Sequence, residues 1–405
     1  MIVRKLKVSL WAIFARVVRC SGTDKLFIWS TIQLLKLVYR LKPFLIIDFD
    51  PSRIGVFSEL DKVLRKLSLL PSAQVPWAFT FGSPVCNETL AHLYSRRIPF
   101  VKSKILSRLL HGICGNGSAR MFTHGLTSAC FHEFAGVFNS TLPQVSFLPH
   151  EDEEGRRALV SMGIGEGDWF VCIHCRDPAY LLKCYGNRDW GYHDYRTATV
   201  HNYLDAARFI VRQGGKAVRM GHHVEGEFPD EAGFVDYANL YRSDFCDVYL
   251  PRKCRFFLGS SSGLYNISSI FHVPVALANV IPYGGVPYRS GDLFIPKLLR
   301  HKQREEFISF QQAEALGLFL FPGPAHETRF YVERELALIE NSPEEIADLA
   351  RDMLDILDGR LPSPEEREMQ WAFKARFLRL LPDQHLAGDI APSFIRRHKD
   401  LFACI

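Results

Sequence analysis

The chain has 405 residues, of which 47% are apolar, 23% charged and 13% aromatic. This balance excludes intrinsic disorder, collagen-like repeats and a coiled coil, and the length predicts two domains of about 100–200 residues each. The net charge of +5 is unevenly placed: residues 1–47 hold nine Lys or Arg against one acid, Asp24, a local charge of +8, so the rest of the chain sums to −3. A nucleic-acid-binding face spread over the body is thereby excluded.

The basic arm comes first in the chain. Its apolar stretches, Val8–Ala15 and Leu26–Tyr39 interrupted by Gln33 and Lys36, fall short of the roughly 20 apolar residues that a spanning helix needs. Ala15-Arg16 is followed by basic and bulky residues, not by a small-residue cleavage site, so no secretory signal is predicted. Trp11, Phe14, Trp29 and Leu34-Leu35 set against Lys and Arg predict an amphipathic helix that lies on an anionic membrane surface through residues 1–40. The plainer alternative is a helix packed on the domain with a solvated basic face. Ten cysteines without a secretory signal predict a reducing compartment and no disulfide framework.

Beyond the arm, strand-like and helix-like segments alternate, the signature of α/β layers. Leu45–Asp50 reads as a strand, followed by the turn Pro51–Gly55 and a helix carrying Leu60, Val63, Leu64 and Leu67, with Ser58 and Asp61 placed to cap it. Val75–Phe81 reads as a second strand and Asn87–Leu110 as mostly helix, while residues 111–145 are left unassigned. The glycines at 163, 165 and 167, after the acidic run Glu151–Glu154, place a domain boundary near residue 150. In the second half, strands are predicted at Phe170–Cys175, Lys216–Met220, Cys254–Gly259 and Val273–Ala278. Helices are predicted at Asn202–Arg212, Phe245–Leu250 and from Ser342-Pro343-Glu344-Glu345 to Gly359. The expected organisation is an arm over 1–43, α/β domains over 44–150 and 151–360, and a helical tail over 361–405 that packs back across the domains.

The best-placed chemistry is the loop Ser260-Ser261-Ser262-Gly263 between a strand and a helix. Unpaired N–H groups at a helix start, with serine hydroxyls beside them, suit a phosphate or carboxylate. In an open α/β sheet, ligands lie beyond the carboxyl ends of the strands, where this loop falls. His174-Cys175-Arg176-Asp177-Pro178-Ala179-Tyr180 leaves the neighbouring strand at the same edge. Arg176 suits a bidentate grip on a diphosphate, and Asp177 serves as a base or holds Arg176. Arg219-Met220-Gly221-His222-His223 closes a third strand, with Arg219 as a second phosphate ligand. In the first domain, Arg53 and Gly55 follow the first strand.

Metal readings are weaker. Cys172 and Cys175 flank His174 on a buried strand, whose alternation sends them to opposite faces. Cys184 and His193 follow them. The adjacent His222 and His223 have no spaced carboxylate partner and read as a surface loop. Asp48-Phe49-Asp50 ends a strand before a proline turn. No metal ligand is therefore predicted. A nucleophile elbow, a phosphate-cradling lysine loop, a kinase signature and G-x-G-x-x-G are all missing from the sequence, which removes the simplest hydrolase, NTPase and dinucleotide readings.

Taken together, Gly165–Tyr180, Arg219-Met220-Gly221, Val235-Asp236-Tyr237 and Cys254–Gly263 resemble a family of bacterial glycosyltransferases. Its members carry a strand ending in His-x-Arg-Asp-x-x-Tyr and a Phe-Phe-x-Gly-[ST]-Ser-Ser-Gly loop. Arg53-Ile54-Gly55 and Ser393-Phe394-Ile395-Arg396 add to the likeness, which runs from about residue 44, although Val56 stands where the family has His. The His-x-Arg pair also resembles that of fucosyltransferases. The resemblance implies a GT-B-like α/β architecture: two facing Rossmann-like domains with an N-terminal basic amphipathic helical arm. The first domain would take the acceptor, through Arg53 and Gly55. The second would take a nucleotide-sugar donor, through His174, Arg176, Arg219, Gly221, Ser260, Ser261, Ser262 and Gly263, with Asp177 and Arg176 catalytic. It further implies transfer to a surface polysaccharide, glycolipid or glycoprotein acceptor, without a required cofactor, at the inner face of the cytoplasmic membrane. The rivals are a nucleotide-sugar epimerase or hydrolase on the same scaffold and a non-catalytic binding or assembly protein.

Overall fold

Phe44–Phe49 forms strand β1, with Ile46, Ile47 and Phe49 buried, the near-continuous apolar run expected of a parallel strand covered on both faces. The computed structural model describes residues 24–41, 44–69, 75–80, 84–98, 100–102, 113, 118, 123–125, 134–186, 189–320, 323–380 and 387–402. The expected Val8–Ala15 stretch, with Trp11 and Phe14, lies outside them. The chain divides into two compact units, Met1–Thr127 and Ser128–Ile405. Each is α/β with a parallel sheet.

In the first unit, β1, β2 (Val75–Thr80), β3 (Phe100–Lys102) and β4 (Thr123–Gly125) lie in the order β3-β2-β1-β4, every pair parallel. The helix Val56–Ser68 links β1 to β2 and buries Phe57, Leu60, Val63 and Leu64, with Phe57 against Phe49 and Tyr94. Ser58 and Asp61 do not cap this helix, which already begins at Val56 after Gly55. Ser58 donates its hydroxyl proton to the Gly55 carbonyl, and Asp61 joins a buried pair with Arg65 at 2.5 Å. The helix expected over Asn87–Leu110 covers only Glu88–Ser95, capped by the Asn87 side chain. Pro99 explains the stop, because it lacks an N–H and disfavours helical backbone at Ile98; β3 then begins at Phe100.

The arm contributes the helix Asp24–Leu41. It buries Thr31 and Ile32 and leaves Trp29 (58%), Leu34 (54%), Leu37 (57%) and Leu41 (82%) exposed. Among the described residues, no helix is long and apolar enough to cross a membrane.

The second unit is built on β5 (Phe170–His174), β6 (Lys216–Arg219), β7 (Phe234–Val235), β8 (Phe256–Ser260), β9 (Val275–Val280) and β10 (Leu293–Pro296). An antiparallel pair follows, β11 (Leu298–His301) with β12 (Leu336–Ile339), and then β13 (Asp389–Ile390). The large sheet runs β13-β10-β9-β8-β5-β6-β7, all parallel. From the central β5 the chain winds out through β6 and β7, then returns to build β8, β9 and β10 on the other side. This is the doubly wound order, and its winding reverses between β5 and β8.

Local sequence explains the framing helices. Leu204–Arg212 stops before Gly214, whose φ of +84° suits a residue without Cβ. Pro343–Leu357 starts with the expected capping box, Ser342 accepting from the Glu345 N–H and Glu345 from the Ser342 N–H. The tail lies against the second unit: β13 extends its sheet, and Phe373 from the helix Pro364–Leu380 packs on Phe294, Phe310 and Phe319. Residues before 150 also join this unit. The helix Phe134–Ser140 places Phe138 on Tyr288 and His272, and the Asn139 amide donates to the Tyr288 carbonyl. The two compact units thus meet in the chain at Thr127/Ser128.

Candidate ligand site at the carboxyl edge of the second sheet

Strands β5 and β8 are buried along nearly their whole length, so their loops emerge together at the carboxyl edge where the winding reverses. Their register sets His174 opposite Gly259. A Cβ on Gly259 would stand 2.6 Å from the His174 carbonyl oxygen, so only glycine permits this approach.

The two loops are stitched by side chains. The Arg176 N–H donates to Ser260 Oγ at 2.8 Å, and Ser262 Oγ is hydrogen-bonded to His174 Nδ1 at 3.2 Å. Ser260, fully buried, is the last residue of β8. Between them, Ser261 Oγ is buried without a hydrogen-bond partner. A buried hydroxyl left unmade costs about 1–3 kcal/mol, which a ligand acceptor would recover. Burial, then the charges of Arg176 and Arg219, push the His174 imidazole down to about 4, so it is neutral at pH 7.

Arg219 is placed differently from the sequence expectation. It is 3% exposed and donates to the carbonyls of Gly226 (2.9 Å) and Glu225 (2.5 Å), with Asp236 at 3.8 Å. Its guanidinium organises the 221–226 loop, which is not the geometry of a phosphate ligand. Gly221 belongs to the same turn: its φ is +144°, and a Cβ there would meet Val224 Cγ1 at 2.4 Å. Asp177 fastens this loop to the β5 loop. One carboxylate oxygen accepts from the Ala179 N–H at 2.9 Å and the other from the Glu225 N–H at 3.0 Å. Both oxygens are thus engaged with backbone.

A cation that the sequence reading passed over stands nearby. Arg196 donates to His193 Nδ1 at 3.0 Å, its guanidinium lies 5.5 Å from the Tyr195 ring centre, and its Nε is buried without a partner. Burial raises the Tyr195 hydroxyl pKa, and Arg196 and then Arg176 lower it, so both guanidiniums bear on this phenol. The Ala198 N–H donates to the Arg176 carbonyl, which ties the 191–198 segment to the β5 loop. Only the fold reveals Arg196, because no short motif links it to Arg176.

The remaining candidates lie apart. Cys172, Cys175 and Cys254 are free buried thiols, and Cys254 donates to the Pro251 carbonyl at 3.4 Å. Among the described residues, Cys184, His222 and His223 bring their ligand atoms within 4.8 Å of one another. In the first unit, Arg53 is exposed in the turn after β1, and Gly55 is the N-cap of Val56–Ser68. Asp50 accepts from the Ser52 N–H at 3.1 Å, a local turn bond.

No protein-family model matches the chain, and no curated protein matches it. Among solved structures, it is similar to a glycosyl transferase family 9 protein from Veillonella parvula DSM 2008. The identity is 12% and the TM-score 0.45, over 76% of this chain and 96% of that one. It is also similar to the E. coli ADP-heptose lps heptosyltransferase II, at 13% identity and a TM-score of 0.34, over 58% of this chain and 84% of that one. Both scores fall below 0.5, and the functional reading rests instead on the edge geometry.

Proposed function

We propose that the chain is a glycosyltransferase of GT-B type that binds a nucleotide-sugar donor at the carboxyl edge of the second sheet. One observation carries this reading. At the point where the winding of the sheet reverses, Ser260 accepts from the Arg176 backbone N–H, Ser262 is hydrogen-bonded to neutral His174, and the Ser261 hydroxyl between them is buried without a partner. Those groups suit a diphosphate. In the reaction, Arg176, joined by Arg196, offsets the charge that grows on the leaving diphosphate, and Ser261 donates a hydrogen bond to it. These cations and hydroxyls supply the charge stabilisation without a metal. Asp177 acts as a positioning residue that sets the β5 loop against the 221–226 loop. For the acceptor, a glycan or lipid-linked sugar, the proposed contact is the turn of Arg53 and Gly55 in the first unit.

The test is a transfer assay with UDP-, GDP-, ADP-, CMP- and dTDP-sugars against a panel of glycan and lipid-linked acceptors, read by mass spectrometry. Acceptor-dependent consumption of one donor supports the reading. Equal consumption without acceptor would move the protein to the epimerase or hydrolase class.

We further propose that the helix Asp24–Leu41 docks on the inner face of an anionic membrane. Its exposed Trp29, Leu34, Leu37 and Leu41 supply apolar area, and the +8 arm supplies the attraction. Deleting residues 1–40 should release the protein from anionic vesicles, and undiminished binding would refute the docking.

A further inference from the structure

Cys184, His222 and His223 are separated in sequence by an entire crossover, yet their ligand atoms gather within 4.8 Å of one another. Cys184 lies in the helix Ala179–Tyr185, which follows the β5 loop, and the two histidines lie in the loop after β6. Both elements hang from Asp177, which accepts from the first N–H of that helix and from the Glu225 N–H. Arg219 fixes the far end of the histidine loop through the Glu225 and Gly226 carbonyls. The histidine pair is thus held from two sides.

The local backbone agrees with that constraint. His223 has a φ of 56°, a left-handed conformation uncommon outside glycine, which persists only where its surroundings impose it. The imidazoles of His222 and His223 stack with ring centres 3.9 Å apart and an interplanar angle of 29°. Tyr180, with its ring centre 5.8 Å from that of His222, walls one side. Lys183 and Arg242 are the nearby cations, and Arg242 is already paired with Asp244 at 2.9 Å and Asp247 at 2.8 Å.

We propose that Cys184, His222 and His223 form a site for one zinc-class divalent ion, which fastens the helix Ala179–Tyr185 to the 221–226 loop. One thiolate and two imidazoles are the donor set of a borderline-soft ion, and three protein ligands leave a fourth position open to water or an exogenous oxygen. Tetrahedral zinc, with bonds of about 2.3 Å to sulfur and 2.0 Å to nitrogen, needs ligand atoms about 3.5 Å apart. The ligand atoms, within 4.8 Å of one another, would have to draw together to that spacing on binding, and the exposed Cys184 side chain has the room to move. This site reverses the plain-loop reading of His222-His223, and it stands independently of the proposed transferase activity.

The test uses the full chain, stripped with a chelator and free of nucleotide sugars, titrated with zinc against a chromophoric competitor. One equivalent should bind. Cys184→Ser should weaken binding by more than the 10–100-fold that loss of a second-shell partner costs. His223→Asn should do the same while tolerating the left-handed backbone. Both variants should unfold at the wild-type temperature when metal-free. Cobalt in the wild type should give a thiolate-to-metal charge-transfer band that Cys184→Ser lacks. No binding to the wild type, or binding undiminished in both variants, would overturn the proposal.

Discussion

Strands β5 and β6 are adjacent and parallel and end at the same edge, one followed by Arg176 and the other closed by Arg219, and the two arginines are tied in differently. Arg219 is buried with two carbonyls and a carboxylate around its guanidinium, so its charge is spent on folding the 221–226 loop. Arg176 anchors through its backbone, the N–H to Ser260 and the carbonyl from Ala198, at the point where the sheet reverses. A charged residue at a strand end can thus be taken up in folding its own loop, as Arg219 is. Asp177 is a second case, because both of its oxygens are taken by N–H groups.

Three substitutions sharpen this contrast, in order of expected effect. Arg219→Ala removes a buried guanidinium from beside Asp236 and releases the Glu225 and Gly226 carbonyls, and should cost about 3–5 kcal/mol of stability by denaturant unfolding. A loss below about 1 kcal/mol would mean that Arg219 is not the organiser of its loop. His174 comes next, through pH. Its pKa lies at about 4 in the folded protein against 6.5 unfolded, so the unfolded chain binds more protons between those values. Its contribution is complete above pH 6.5 and is lost as pH falls to about 4, up to about 3 kcal/mol. His174→Gln should flatten that part of the stability profile, and an unchanged slope would contradict the burial of this imidazole. The smallest effect belongs to Ser261→Ala. Removing a buried hydroxyl without a partner should leave stability within about 0.5 kcal/mol or raise it, while weakening donor binding about tenfold. Unchanged donor affinity would remove Ser261 from the site.

The regular parts of the fold were legible because their signals are local. The Ser342–Glu345 capping box and the apolar strands of the second sheet follow from spacing alone. The shortened helix after Asn87 was legible in principle, since Pro99 marks its limit. Partner choice was not legible. Nothing in the sequence shows that the Arg219 guanidinium turns to the carbonyls of Glu225 and Gly226, and Arg196 joins the edge only through a crossover. The cluster of Cys184 with His222 and His223 is invisible for the same reason, as its ligands come from two elements that meet only in the folded sheet.

The most direct test of the central claim is thermal unfolding of wild type, Arg176→Ala and Ser260→Ala with the nucleotide-sugar panel. A donor at about 100 times its dissociation constant adds roughly 2.7 kcal/mol, a rise of a few degrees. One donor class should shift the wild type and leave Arg176→Ala unshifted relative to that variant without donor. Ser260→Ala should unfold earlier, having lost the Arg176 N–H bond, and keep a reduced shift. An equal shift in wild type and Arg176→Ala would contradict the claim that a diphosphate binds at this edge.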